Sequence, residues 1–230
     1  MRVAICIQAR LGSERLPQKV LRDFNGMSLL QHVHRRALGC HAADAVLVSW
    51  GCACGGKGCD DCMTLTDHMR EHMIRQWGGP ENDLITRHLG ATLYAGCNAF
   101  VRVTADCLFH DPRLIDDAIT RFKLAWPAYR CASNWWPGRS WSEGVDLDIW
   151  TLDMLADLNA DPNCHRETFA SYGVTLRKAK HMAIKSDYQD GDWHTSIDTP
   201  EDAAHADKVL KRLGNDEWRY HKLKEAWACS

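Results

Sequence analysis

The sequence predicts an α/β chain built on a single doubly wound, mostly parallel sheet, and three observations carry that expectation. Val3–Ile7 (VAICI) and Ala45–Ser49 (AVLVS) are short apolar runs rich in β-branched residues, as strands buried on both faces are. Between them, Ser28–Leu38 (SLLQHVHRRAL) repeats its apolar residues at helical spacing and ends at Gly39, a plausible C-cap. A strand, a helix and a second strand in that order open a doubly wound sheet.

A chain of 230 residues is long enough to bury a substantial core. No repeat or low-complexity linker divides it, so one domain over 1–230 is expected, with a Cys-rich insertion at 51–63 and a helical tail at 214–230. The 28 basic residues nearly balance the 30 acidic ones, which argues against nucleic acid or a membrane surface as partner. There is no apolar run of membrane-spanning length and no signal-peptide core, so a cytoplasmic location is expected. Eleven cysteines, an odd number, then read as reduced thiols or metal ligands.

Further along, helical pattern covers Leu65–Gln76 and then Pro80–Leu93, with Glu81 and Asp83 suited to a helix N-terminus. Ala99–Thr104 (AFVRVT) reads as the third strand, running into Ala105-Asp106-Cys107, then His110-Asp111-Pro112 and a helix to about Lys123. Ala128–Ser133 is a weak strand and Asn134–Glu143 is loop by its Pro and Gly. Gly144–Trp150 (GVDLDIW) alternates at period two, which puts Asp146 and Asp148 on one face. Helices follow from Thr151 to about Leu158 and from His165 to about Tyr172. Lys180–Lys185 and Trp193–Ile197 read as short strands, and Thr199 caps a helix over Pro200–Leu213. The tail places Trp218, Leu223 and Trp227 on a sparse apolar stripe that would suit a homodimer contact.

The loop after the first strand changes character abruptly. Arg10, Gly12, Ser13, Arg15, Pro17 and Lys19 crowd together. A glycine with converging cations at the end of a first strand is where a polyphosphate would sit. The run has neither the Gly-Lys-Ser/Thr of a Walker loop nor a G-x-G-x-x-G fingerprint.

The run QARLGSERLPQKVL resembles the signature loop of cytidylyltransferases of the spore-coat polysaccharide type, to which CMP-sugar-acid synthetases are related. The resemblance extends over about residues 3–213, with islands at 7–21, 99–112, 142–150 and 195–202. It implies a nucleotidyltransferase of GT-A-like, Rossmann-type fold that moves CMP from CTP to a sugar, sugar acid or phosphorylated acceptor. Residues Ala9, Arg10, Leu11, Gly12, Ser13, Arg15 and Lys19 would wrap the nucleotide, helped by Ser49 and Asp106. VRVTADC followed by Asp-Pro resembles the family's metal-binding strand end, and SIDTPEDA its late Asp-Thr-Pro-Glu-Asp motif. Asp106 and Asp198 would thus hold Mg²⁺, and with Arg10, Arg15 and Lys19 they form the catalytic set. GGPENDLITRHLGA resembles the family segment that carries an acidic pair and helps enclose the nucleotide.

On the acceptor side, GVDLDIW followed by His-Arg-Glu resembles the family's Gly-x-Asp-x-Glu strand and Arg-Glu pair, which names Asp146, Asp148, Arg166 and Glu167. The chain departs from the family at Asp148, where Glu is usual, and at Leu108, where proline is common. Trp135, Trp136 and Trp141 are candidates for a sugar-stacking wall. A nucleotide-sugar glycosyltransferase would ask for an Asp-x-Asp metal motif at a mid-chain strand end. Asp146-Leu147-Asp148 has that spacing but follows a glycine inside a strand. A non-catalytic module that kept the fold is a third reading, and the intact Arg10, Arg15, Lys19, Asp106 and Asp198 speak against it.

Two cysteine and histidine patterns stand apart. Cys52, Cys54, Cys59 and Cys62 form C-x-C-x₄-C-x₂-C among Gly51, Gly55, Gly56 and Gly58, either a thiolate cage for structural Zn²⁺ or a set of free thiols in a loop. His68-Met69-Arg70-Glu71-His72 matches the H-x-x-E-H of inverted zinc proteases without any accompanying motif, and among 12 histidines it reads as chance.

Overall fold

The computed structural model describes residues 1–175, 180–185, 190–214 and 218–229. Strands β1 (Val3–Arg10), β4 (Ala45–Cys52), β5 (Gln76–Pro80) and β6 (Ala99–Thr104) run parallel in the order β5-β4-β1-β6. The sheet continues through β8 (Asp148–Thr151), antiparallel to β6, then β7 (Cys131–Ser133) and β9 (His181–Ala183). A small hairpin, β2 (Asp23–Phe24) and β3 (Met27–Ser28), stands aside.

Alternation along β1 shows why both faces are covered. Val3, Ile5 and Ile7 join one core cluster and Ala4 and Cys6 the other, all fully buried. Helices α1 (Leu29–Leu38), α2 (Asp60–Glu71), α4 (Pro112–Ala125) and α7 (Pro200–Leu213) bury Val33, Leu65, Ile119 and Val209 in the first cluster. Helices α3 (Leu84–Tyr94), α5 (Leu152–Ala160) and α6 (Phe169–Thr175) bury Ile85, Leu155 and Phe169 in the second. Each such side chain contributes roughly 1.5–3 kcal/mol of burial.

The helix starts follow capping chemistry. Ser28 accepts from the Gln31 amide while the Gln31 side chain accepts from the Ser28 amide, and Thr199 and Asp202 repeat the device before α7. Asp111 caps α4 with Pro112 at its first position.

Four sequence expectations are corrected. The helix expected over Leu65–Gln76 starts earlier, at Asp60, and ends at Glu71, and Gln76–Pro80 is an edge strand, β5. The tripeptide Trp77-Gly78-Gly79 carries no alternating pattern, so only pairing with β4 makes it a strand. The next helix begins at Leu84, not Pro80, capped by Asp83. Trp193–Ile197 makes a single bridge, Glu143 to His194, rather than a strand. Gly39 does cap α1, yet at φ −75° it is no left-handed cap; a Cβ there would lie 3.2 Å from Pro112, so close approach of α4 is what favours glycine.

The tail forms a helix, α8 (Tyr220–Ala228), packed on α7, while residues 215–217 and 230 of the expected tail lie outside the described residues. Its apolar stripe points inward. Trp218 and Trp227 sit against Phe109, and Leu223 is fully buried. Most of that stripe is therefore covered within the chain, with Trp227 partly buried. Among the described residues, no helix is long and apolar enough to cross a membrane.

Two buried histidines make the fold sensitive to acid. Burial holds the His88 pKa well below its usual value and pushes that of His110 down to about 4, and the His110 Nε2 has no hydrogen-bond partner among the described residues. A group with its folded pKa depressed binds a proton on unfolding. Its contribution is complete above about pH 6.5 and is lost as pH falls toward 4. For His110 this amounts to on the order of 3 kcal/mol. The thermal midpoint should drop between pH 7 and pH 5, less steeply in His110→Leu than in the unsubstituted chain. Calorimetry giving identical pH profiles for both would refute the assignment.

Candidate active site

The carboxyl ends of β1 and β6 lie side by side, with Gln8 paired to Thr104. In an open parallel sheet this is the edge where ligands bind. The loop after β1 turns through Ser13, whose amide donates to the Leu11 carbonyl at 2.8 Å, and closes in a short 3₁₀ turn, Lys19–Leu21. Val20 is buried in the core beneath, so the turn is anchored and Lys19 is aimed back over the strand ends.

There the Lys19 ammonium donates to Asp106 Oδ2 at 2.8 Å, to Asp198 Oδ1 at 3.0 Å and to the Ile197 carbonyl at 3.0 Å. Asp106 follows β6 directly, and Asp198 is delivered by a backbone bond, Ile197 amide to Asp106 carbonyl, at 3.0 Å. Arg15 adds a second cation at 3.1 Å from Asp198. Burial opposes charge on Lys19, but the two carboxylates outweigh it and raise its pKa. Burial likewise opposes charge on Asp198, yet Lys19, Ser196 and Arg15 lower its pKa. Both groups are therefore ionised at neutral pH.

A cleft of about 600 Å³ opens over this cluster, lined by Ala9, Arg10, Ser13, Arg15, Lys19, Asp106 and Asp198 among others. That size suits a small-molecule ligand. Leu11 is buried beside it and Gly12 lies against Glu81, and neither lines the cleft. Ser49, expected to contact the nucleotide, is fully buried in β4 beside Gln8 and is not among the residues lining the cleft.

A second cavity of about 310 Å³ adjoins the first and shares Arg102, Thr104, Asp106 and Asp198 with it. Asp146 and Asp148 both line it, as period-two spacing predicts, although only Asp148 lies within β8. Arg166 and Glu167 do not. Arg166 pairs with Asp83 at 3.1 Å, and Glu167 faces the larger cleft instead.

Asp148 is 1% exposed and its oxygens are filled. They accept from Arg102 Nε at 3.0 and 3.1 Å, Arg102 Nη2 at 2.6 Å and the Trp150 indole at 2.5 Å. A carboxylate so saturated is no Asp-x-Asp metal ligand. The three tryptophans also separate: Trp135 lines the cavity, Trp141 is buried against Tyr220, and Trp136 is exposed. They make no common wall.

Arg87 and Arg102 escaped the sequence reading, whereas Glu81 was read within the segment expected to enclose the nucleotide. Glu81 pairs with Arg10 at 3.0 Å across the cleft mouth. Arg87 is 1% exposed and donates to the carbonyls of Pro80 and Glu81, and burial lowers its pKa to about 10, so it stays charged. Arg102 spans both cavities. Arg102 stands in VRVT on the polar side of a strand, a signal that was visible. Arg87 looked like an ordinary polar helix position.

A sequence model of the family described as Cytidylyltransferase matches residues 4–50, the stretch holding β1, its loop and β4. Over that stretch the chain is similar to the cytidylyltransferases. Among curated proteins, 3-deoxy-manno-octulosonate cytidylyltransferase of Acidovorax sp. is 32% identical over 116 residues, 49% of this chain and 40% of that protein. The chain thus matches less than half the length of this curated relative. Among solved structures, a cytidylyltransferase from Leptospira borgpetersenii superposes at a TM-score of 0.89 with 25% identity, covering 100% of this chain and 94% of that one. A CMP:2-keto-3-deoxy-manno-octonic acid synthetase complexed with CTP superposes at 0.70 with 15% identity, covering 93% of this chain and 100% of that one, a likeness of fold.

The Lys19 junction is testable without any substrate. In Lys19→Met, Asp198 loses its main charge partner, and its carboxyl carbon should titrate at higher pH by NMR than in the unsubstituted chain. An unchanged midpoint would show that the ammonium does not hold the pair.

Proposed function

We propose that this protein is a Mg²⁺-dependent cytidylyltransferase that transfers CMP from CTP to a sugar, sugar acid or phosphorylated acceptor and releases pyrophosphate. One observation carries the reading: Lys19 held between Asp106 and Asp198 where two cavities meet. The larger cleft, with Arg10, Arg15 and Lys19, would take the triphosphate, and the smaller one the acceptor. The CTP complex of the related synthetase fold supports the choice of nucleotide.

The donor set fits the metal. Asp106 and Asp198 each place an oxygen within 3.0 Å of one nitrogen, so the two carboxylates can share one cation, and oxygen donors suit Mg²⁺. Bound by that pair, Mg²⁺ would neutralise charge at the α-phosphate. The chain's own residues do the rest. Lys19 and Arg15 stabilise the charge that grows on departing pyrophosphate. Arg87, buried and bonded only to backbone carbonyls among the described residues, supplies a fixed positive charge to the cleft wall. Arg102, locked by Asp148, sets the boundary between the cavities, and Asp146 with Arg139 forms the far wall of the acceptor side. The acceptor oxygen attacks the α-phosphorus as the bond to the bridging oxygen breaks, and that oxygen leaves with pyrophosphate. CTP is a cytoplasmic reagent, so we place the reaction there.

A thermal-shift screen with all four NTPs and Mg²⁺ should show the largest rise with CTP, and pyrophosphate should appear with CTP and a matching acceptor. Equal shifts for all four nucleotides would remove the assignment of CTP. Asp106→Asn and Asp198→Asn should each lower turnover by roughly 10²–10³-fold, the loss of one preorganised electrostatic element. Near-normal turnover of either at subsaturating Mg²⁺ would exclude that residue as a ligand.

A further inference from the structure

Four thiols away from the cleft converge on one point. Cys52 ends β4, Cys54 lies in the turn beyond it, Cys59 is the N-cap of α2 and Cys62 sits in the first turn of that helix. What looked like an extended insertion is therefore a tight connection between a strand end and a helix start. The sulfurs of Cys52 and Cys59 are 3.2 Å apart, those of Cys54 and Cys62 3.2 Å, and those of Cys59 and Cys62 3.5 Å. All four lie within 4.8 Å of one another.

A tetrahedral ion about 2.3 Å from each sulfur would set sulfur–sulfur edges of about 3.8 Å. The three close pairs, at 3.2, 3.2 and 3.5 Å, fall a little short of that value, and no pair exceeds 4.8 Å. They are too long for disulfides, which need about 2.05 Å. The turn reaches this arrangement only with Gly55, Gly56 and Gly58 at φ 68°, 84° and 89°, where a side chain would be strained. The Lys57 amide donates to Cys54 Sγ at 3.2 Å, a bond that favours sulfur as thiolate. An all-sulfur tetrahedral donor set selects zinc over the hard cations suited to Asp106 and Asp198.

We propose that Cys52, Cys54, Cys59 and Cys62 hold a structural Zn²⁺ that pins the end of β4 to the start of α2. None of the four lines either cavity that meets at Lys19, so the ion takes no part in the transfer reaction and the inference stands independently of it. Its effect on the cleft is mechanical. Cys52 pairs with Pro80 of β5, and the next residue, Glu81, holds Arg10 at the cleft mouth. Gly51, beside Cys52, packs directly on the Arg87 guanidinium, where any side chain would collide. Fixing the end of β4 thus fixes the backbone against which Arg87 and Glu81 are set.

The test is metal analysis of the full chain purified without chelator. We expect about one zinc per chain, four thiols protected from alkylation until the metal is stripped, and loss of the zinc in Cys59→Ser/Cys62→Ser. To separate loss of metal from misfolding of that variant, the unsubstituted protein is also stripped and reloaded with Co²⁺, which should give the intense thiolate charge-transfer and visible bands of a tetrahedral sulfur site. Stripping should lower the thermal midpoint by about 5 °C or more, as expected if a few kcal/mol are lost. Absence of metal together with failure to bind added Zn²⁺ or Co²⁺ would overturn the proposal. So would iron in place of zinc, or an intact mass showing two disulfides among the four cysteines.

Discussion

The contact on which the site depends is the Lys19 ammonium between Asp106 and Asp198. It joins chain segments 87 and 179 residues away in sequence, one at the end of β6 and one just before α7. Two carboxylates this close repel each other, and only a shared cation makes their proximity favourable. The lysine side chain is 12% exposed and the carboxylates 26% and 23%, so water screens the cluster only in part. Its energy is accordingly intermediate between that of a surface pair and a buried one. What it secures is geometry: a loop from β1, a strand end and a late loop are brought to one point.

A second ionic tier lies behind it. Arg102 and Asp148 face each other across β6 and β8, at 18% and 1% side-chain exposure, with several hydrogen bonds between them. Every oxygen of Asp148 has a donor, which is the condition under which a buried charge is tolerable. The pair partitions one opening into two cavities of unequal size and leaves Asp106 and Asp198 at their common edge. Removal of one partner would leave the other uncompensated, so the partition and the local fold depend on the same bonds.

The parallel strands were legible because a strand covered on both faces must be apolar throughout, and Val3–Ile7, Ala45–Ser49 and Ala99–Thr104 are nearly so. The cap at Thr199 was legible because an N-cap bond is local, closed within four residues. The strand β5 was not, since Gln-Trp-Gly-Gly-Pro has no periodicity and owes its conformation to β4 alone. The inward turn of Trp218 and Trp227 was hidden for a similar reason: a sparse stripe does not say whether its own chain or another covers it.

The sequence by itself determined the strands β1, β4 and β6, the helix α1, the cationic loop after β1, and the carboxylates Asp106 and Asp198, because each is written in contiguous residues. Only the tertiary structure decided that Lys19 meets both carboxylates, that Asp148 is consumed by Arg102, that Arg87 backs the cleft, and that Ser49 is buried outside its lining. Those outcomes depend on register between strands and on one backbone bond, Ile197 to Asp106, that closes a separation no local pattern spans. Charge and hydrogen-bond partners act through a few ångströms of space, and distance along the chain carries no trace of them.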